Sequence, residues 1–475
     1  MHKHIFGLSI QGIQSYIFET NKLKEIIGAS EIVEQACTNW FDDFINSEII
    51  NGRKILGAAG NIRYVTYNEE DARKLIEGYH SHIIKNAPGL PFSMAIMPLT
   101  SNTTEKEALL QLTKQLEAQR NQPMYAYDPG IMTRNRNRRT GSAATFFNDP
   151  DGKYIDKTNL AKFKNHKANR LYEKTLIPGY EIKYPLEFSN ITKEGIKNWM
   201  ALVHIDGNGM GIRISEIYKK ANILDNLSEF SKAIDNSTVE AYRQAVIYIM
   251  ELLNKKPDEK PIELPMRPLI LGGDDLTLII RADLAMEFVR KYLESFETET
   301  EKNIKAEYGG KFTAAAGIVF MKEKFPFHYA AHLVEELTSY AKNNGGREQS
   351  TLHFYMVQDS FIENYDEIIE RELTPKYGDN FINGPYSLKP GKCYTIDSLL
   401  EDIEILQSDE APVNGIREFI DLKFNDPKMA EVVMKRLKNK YRANHRFVKI
   451  LENEQAFMDY HTLLSVGTRI KNKKL

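Results

Sequence analysis

Between Leu269 and Ile280 the chain reads Leu-Ile-Leu, then Gly-Gly-Asp-Asp, then Leu-Thr-Leu-Ile-Ile. Two short apolar runs rich in strand formers, separated by turn-favouring residues, predict a buried antiparallel hairpin. Its tip then presents Asp274 and Asp275. Upstream, Ala201-Leu202-Val203-His204-Ile205 is a further apolar strand, running into Asp206 and the flexible Gly207-Asn208-Gly209-Met210-Gly211. If this strand neighbours the hairpin in one antiparallel sheet, Asp206 and the turn aspartates form one cluster. Clustered carboxylates repel unless a cation neutralises them. Mg²⁺ or Mn²⁺ suits such a site, since both take hard oxygen ligands and commonly hold substrate phosphates as well. Two such ions can hold the attacking and the leaving oxygen of a phosphoryl transfer. Glycines at Gly207, Gly209, Gly272 and Gly273 would let a triphosphate approach the backbone closely. Gly and Asp also favour turns for conformational reasons alone, so the weight lies on the combination with Asp206.

The order of elements around this hairpin occurs twice. In the first segment Ile5–Ile10 reads as a strand, and apolar residues at helical spacing run from Ile13 to Phe44, with Gly28 expected to separate two helices. A hairpin follows, Lys54–Leu56 and Ile62–Thr66 about the turn Gly57-Ala58-Ala59-Gly60-Asn61, then a helix over Glu69–Lys85 and a strand at Phe92–Ile96. In the second segment the strand at 201–205 leads to helices ending near Asn254, the Gly-Gly-Asp-Asp hairpin, and a helix capped by Asp283. A strand near Phe312–Phe320 and a helix from Pro326 to Lys342 complete it. This is the pattern of a ferredoxin-like or palm unit. The expected fold class is α+β: two palm domains, at 1–140 and 200–358, and a C-terminal helical domain at 359–475. The polar, Lys-rich stretch 141–199 is read as a helical or loop insertion joining the copies.

Composition narrows the function. A chain of 475 residues suggests about three domains at roughly 150 residues each. With Lys plus Arg at 63 and Asp plus Glu at 65, the formal net charge is −2, which argues against general coating of nucleic acid. Two cysteines, Cys37 and Cys393, are too few for a disulfide framework or a four-cysteine zinc site. No signal peptide and no membrane-length apolar run is apparent, so a cytoplasmic protein with no membrane partner is expected.

The second copy is similar to the palm domain of nucleotidyl cyclases and certain polymerases, and most closely resembles the large palm-containing subunit of type III CRISPR effector complexes, the Csm/Cmr large-subunit family. The residues that carry this are His204–Gly211, the Gly272–Asp275 turn, Ala315-Ala316-Gly317-Ile318, and Ala341-Lys342 leading to Gly345-Gly346-Arg347. In the first copy, Gln11–Phe18, Lys22–Glu25 and Gly28-Ala29-Ser30 resemble that family's first palm, with Gly57–Asn61 where that palm has a metal-free glycine turn. The resemblance spans residues 1–140 and 195–360. It implies synthesis of cyclic oligonucleotides from ATP, or another nucleoside triphosphate, by attack of a 3′-hydroxyl on an α-phosphate with release of pyrophosphate. Asp206 and Asp275 would be the main ligands of two Mg²⁺ or Mn²⁺ ions, with Asp274 a further ligand or orienting group. Lys342 and Arg347 would bind phosphate oxygens, and Gly57, Gly60 and Asn61 would accommodate a second nucleotide. The implied setting is antiviral defence, with RNA or CRISPR effector subunits as partners.

Departures from the family pattern are visible. No histidine is followed by Asp and the chain opens on the first palm, so the family's nuclease activity is not expected. The cysteine zinc site between the palms is missing, and Asn208 stands where the motif has an acidic residue. Two alternatives use the same residues differently: a cyclic mono- or dinucleotide cyclase, and a non-catalytic nucleotide- or RNA-binding scaffold. Arg134, Arg136, Arg138 and Arg139 form a basic cluster read as a solvated loop. Lys435, Arg436, Lys438, Lys440, Arg442, Arg446 and Lys449 are read as an ordinary solvated helix face, and Met429 and Met434 as core.

Overall fold

The computed structural model describes residues 3–100, 103–121, 131–137, 140–147, 154–257, 261–358 and 364–471. Strand β1 (Lys3–Ile10) alternates its side chains between two covered faces, as a strand's period of two requires. Phe6, Leu8 and Ile10 face one apolar cluster with Ile26, Ile32 and Tyr79. Ile5 faces a second cluster, with Leu109 and Leu112. Helices α1 (Ile13–Phe18), α2 (Leu23–Cys37) and α3 (Asn39–Ser47) lead to the hairpin of β2 (Gly52–Ala58) and β3 (Asn61–Thr66). Then come α4 (Glu69–Asn86), β4 (Phe92–Leu99) and α5 (Glu105–Arg120). The sheet order is β2-β3-β1-β4, antiparallel throughout.

After α6 (Lys157–Asn165) and α7 (Arg170–Lys174), the same sequence of elements recurs. It comprises β5 (Trp199–Gly207), α8 (Met210–Ile217), the long α9 (Ile223–Leu252), β6 (Met266–Gly272), β7 (Asp275–Arg281), α10 (Ala285–Asn303), β8 (Ala314–Lys322) and α11 (Phe327–Gly345). The order β6-β7-β5-β8 repeats that of the first sheet. It is extended by β9 (Thr351–Met356), parallel to β8, and β10 (Tyr386–Ser387). The likeness reaches individual residues. Each hairpin is irregular at the same distance from its tip, between Lys54 and Leu56 and between Pro268 and Ile270. Two residues beyond each first strand a left-handed glycine, Gly12 or Gly209, starts a helix. The fold class is thus as expected: two palm units and a helical region of α12 (Ile396–Leu406), α13 (Val413–Asn425), α14 (Pro427–Lys440), α15 (His445–Glu452) and α16 (Phe457–Val466).

Several local expectations are corrected. Gly28 does not separate two helices; it lies inside α2, where the backbone of α6 crosses. A Cβ there would sit 1.6 Å from the Lys162 carbonyl oxygen. The stretch 141–199, which carries α6 and α7, also contributes buried residues, among them Ile155, Leu171, Ile177, Ile182, Tyr184 and Ile191. Lys162, fully buried, donates to the Tyr16 carbonyl at 2.7 Å and pairs with Glu19 at 2.7 Å. Asp283 caps no helix: Leu284 is the N-cap of α10, and Asp283 binds the buried Arg281 at 2.6 Å and Arg469 at 2.7 Å. Met434 is core, but Met429 is exposed. In the basic cluster, Arg136 donates to the Gly141 carbonyl at 2.8 Å; Arg138 and Arg139 lie outside the described residues. Among the described residues no helix is long and apolar enough to cross a membrane.

Candidate active site

Strands β5 and β7 are antiparallel neighbours with Ile205 opposite Leu276, so Asp206 and Asp275 fall side by side at the same end of the sheet. The hairpin closes through Gly273 and Asp274, with Gly272 opposite Asp275. Carboxylate oxygens of Asp206, Asp274 and Asp275 consequently lie within 4.8 Å of one another. Gly207 makes room for this: a Cβ there would come 2.9 Å from the Asp274 carboxylate. The turn is held from behind by α9. Asp235 Oδ1 accepts the Gly273 N–H at 3.0 Å, and Thr238 Oγ1 donates to the Gly273 carbonyl at 2.7 Å.

The electrostatics are those of an undercompensated anion site. Burial first, and then the charge of Asp206, pushes the Asp274 carboxyl up to about 7. Burial and both neighbouring aspartates hold Asp275 well above the ordinary carboxylate range. Lys342, from the last turn of α11, is ion-paired with Asp206 and reaches the Gly207 carbonyl at 3.3 Å. One ammonium cannot offset three carboxylates in a half-buried setting. Hard oxygen donors converging with excess negative charge fit Mg²⁺ or Mn²⁺, and Asp206, Asp274 and Asp275 are the residues that would hold it. His204 is no part of this set. Burial lowers its pKa to about 4, and its Nδ1 is 2.9 Å from Thr277 Oγ1.

The remaining expected residues divide into three groups. Asn208 is buried, its Nδ2 donating to Thr313 Oγ1 at 3.0 Å. Thr313 Oγ1 in turn donates to the Arg347 carbonyl at 2.9 Å, so Arg347 is tied to the site through its backbone while its side chain is exposed. Gly209 begins α8. On the other palm, Gly57 lies within β2 against the Cys37 carbonyl and lines neither cavity described below. Gly60 does face the second palm: the two hairpin tips abut, and a Cβ on Gly273 would lie 3.1 Å from the Ala59 Cβ. A small cavity between them is lined by Ile13, Ile17, Val33, Gly60, Leu271 and Asp275.

Asn61 belongs to a different space. Superposing the strand registers places Ser9, Gly60 and Asn61 of the first palm where Asp206, Asp274 and Asp275 stand in the second. The same register places Arg120 at the position of Lys342, each 28 residues beyond the first residue of β4 or β8. A cavity of about 560 Å³ opens here, lined by Ser9, Gln11, Gly12, Asn61, Arg63 and Arg120. Sequence reading passed over Arg120, Arg63, Asp235, Thr238 and Lys174. The equal spacing of Arg120 and Lys342 from their strands was the signal for the first of these.

A palm sheet that brings carboxylates from a strand end and a hairpin tip together defines the class, that of nucleotidyl cyclase-like palm proteins. Residues 199–351 match the family model of Cas10/Cmr2, second palm domain. The chain is thus similar to the Cas10-like large subunit of type III CRISPR systems. It is 26% identical over 165 residues to the CRISPR single-strand-specific deoxyribonuclease Cas10/Csm1 (subtype III-A) of Mycobacterium tuberculosis. That alignment covers 33% of this chain and 18% of the relative. In fold it is similar to the Csm1–Csm4 cassette in complex with cA4, with a TM-score of 0.58 at 14% identity, over 98% of this chain and 70% of that one. Csm1 of T. onnurineus gives 0.56 at 14% identity and the same coverage. The Csm1–Csm4 cassette in complex with AMPPNP gives 0.55 at 13%, again with that coverage.

Proposed function

We propose that this chain is a metal-dependent nucleotidyltransferase that makes cyclic oligonucleotides from ATP in CRISPR-type defence, alongside other effector subunits. The observation that carries this reading is the set of three carboxylates within 4.8 Å of one another, at the edge of a space shared with the other palm. In the proposed reaction the 3′-hydroxyl of one nucleotide attacks the α-phosphate of another, and pyrophosphate leaves. A bound Mg²⁺ or Mn²⁺ pair would polarise the phosphoryl group and lower the pKa of the hydroxyl. Asp206, Asp274 and Asp275 hold the metal site. Lys342, which is paired with Asp206, would meet phosphate oxygens of the bound nucleotide. In the first palm, Arg120 meets the phosphates of the second nucleotide, where Ser9, Gly60 and Asn61 replace the three aspartates. The structures of similar fold that contain AMPPNP and cA4 support this choice of substrate and product.

The test is incubation of purified protein with labelled ATP or GTP and Mn²⁺ or Mg²⁺, beside Asp274→Ala/Asp275→Ala. The expected result is a phosphatase-resistant cyclic product from ATP that the double variant does not make, although it folds. A product from GTP alone would favour a dinucleotide cyclase instead. Absence of any metal-dependent product, with target RNA added as well, would leave the scaffold reading.

A further inference from the structure

Lys174 ends α7, in the stretch between the palms, and its ammonium is largely withdrawn from solvent, with 15% of the side chain exposed. Three acceptors from three separate elements surround it. Glu34 Oε1, from α2 of the first palm, is 2.8 Å from Nζ. Asp235 Oδ1, from α9 of the second palm, is 3.7 Å away. The carbonyl of Leu271, immediately before the Gly-Gly-Asp-Asp turn, accepts from Nζ at 3.3 Å. The ammonium donates to the Leu271 carbonyl and is ion-paired with the two carboxylates. The base of the side chain is fixed as well, since Arg243 donates to the Lys174 carbonyl at 3.0 Å.

The consequence lies at the turn. Asp235, which faces Lys174, is the residue that accepts the Gly273 N–H, and Thr238 binds the Gly273 carbonyl. The peptide groups before Asp274 are thus held at Leu271 by Lys174 and at Gly273 by α9. Gly273, with φ of 63°, sits in the left-handed region, where the backbone is free to leave its conformation unless held. The hold on Leu271 depends on the first palm, because Glu34 anchors the same ammonium. We propose that Lys174 is a positioning residue that sets the catalytic hairpin tip against the first palm, so that the spacing of the three aspartates depends on contact between the two units. This builds on the metal-site reading of the aspartates, yet the clamp itself is a property of the metal-free chain.

The test separates a clamp on the backbone from a simple neutralising role toward Glu34. Lys174→Met keeps the apolar stem and removes the donors; Glu34→Gln/Lys174→Met also removes the carboxylate left unpaired. Hydrogen exchange is read over residues 270–277 of the full chain in EDTA, with residues 92–99 of β4 as internal control. Exchange at 270–277 is expected to quicken at least tenfold in both variants with the control unchanged, while the double variant recovers the melting temperature lost by the single one. Mn²⁺ titration is expected to show at least tenfold weaker binding in both, and turnover at saturating ATP and Mn²⁺ to fall at least tenfold with KM for ATP within threefold. Unchanged exchange at 270–277 in Lys174→Met, or its return to the wild-type rate in the double variant, overturns the proposal. A wild type that binds Mn²⁺ but makes no product would overturn the proposed function while the exchange data still decide the clamp.

Discussion

Removing one carboxylate from the cluster is expected to stabilise the metal-free protein while removing its response to metal. Folding raises the Asp274 carboxyl from 3.8 to about 7, through burial and the charge of Asp206. At about 1.4 kcal/mol per pKa unit, keeping this group ionised above pH 7 costs up to about 4 kcal/mol. Asp274 is only partly buried, and solvent screening reduces the usable figure to about 2 kcal/mol. The direction follows from linkage: a carboxyl whose pKa is raised by folding lends its full stability below about pH 4, and loses it as the pH rises through about 7. Asp274→Asn has nearly the same shape and does not ionise, so it retains what the wild type loses. At about 2–4 °C per kcal/mol for a domain of this size, the variant should melt roughly 4–8 °C above the wild type at pH 8 in EDTA. At pH 4.5 the difference should shrink to about a quarter of that. Mn²⁺ at about one hundred times its Kd should add about 2.7 kcal/mol to the wild type and far less to the variant. Differential scanning calorimetry in EDTA and in Mn²⁺ measures all three. A variant no more stable than wild type at pH 8, an equal gain at pH 4.5, or equal stabilisation of both by Mn²⁺ would refute the reasoning.

Gly28→Val should lower stability by about 2–4 kcal/mol in a denaturant titration, since the added carbons meet the α6 backbone rather than a movable side chain; a loss below 0.5 kcal/mol would mean that α6 can move aside freely. Arg120→Ala should raise KM for ATP about 10–100-fold, the worth of one charge-assisted hydrogen bond, while Mn²⁺ affinity measured without nucleotide stays within twofold. Weakened Mn²⁺ binding in that variant would place Arg120 in the metal site instead.

What could be read ahead of the structure was what short-range pattern determines. The Gly-Gly-Asp-Asp hairpin is legible because its apolar runs and its turn lie within a dozen residues, and the partnership of Asp206 follows once β5 and β7 are neighbours. The duplication is legible from the order of elements. Gly28 was misread because a glycine inside a helix and a glycine between helices look alike until the crossing partner is known; here that partner is α6, far along the chain. Lys162 and Lys174 sit in a stretch whose polarity reads as solvated. Their burial is offset by acceptors that no local pattern predicts: the Tyr16 carbonyl and Glu19 for one, Glu34 and the Leu271 carbonyl for the other. Asp283 was taken for a cap because Asp favours that position, but a buried arginine two residues earlier made a stronger claim on it.

The two palms share a register and differ in charge at equivalent positions, and that difference gives them different work in the proposed reaction. In the second palm three carboxylates outweigh Lys342, so phosphates can approach only with cations that neutralise the site. In the first palm Ser9, Gly60 and Asn61 stand where the three aspartates stand in the second, and the cavity there is lined by Arg63 and Arg120 together with Glu117 and Glu335. A nucleotide there would meet Arg120 at a place without the three clustered aspartates that would hold a metal beside its α-phosphate. Reaction is thereby confined to the nucleotide held by the second palm, and the first serves to place its partner. Such a division works only if the distance between the two units is fixed. The abutting tips at Ala59 and Gly273, and the ammonium of Lys174 shared between α2 and β6, are the contacts that fix it.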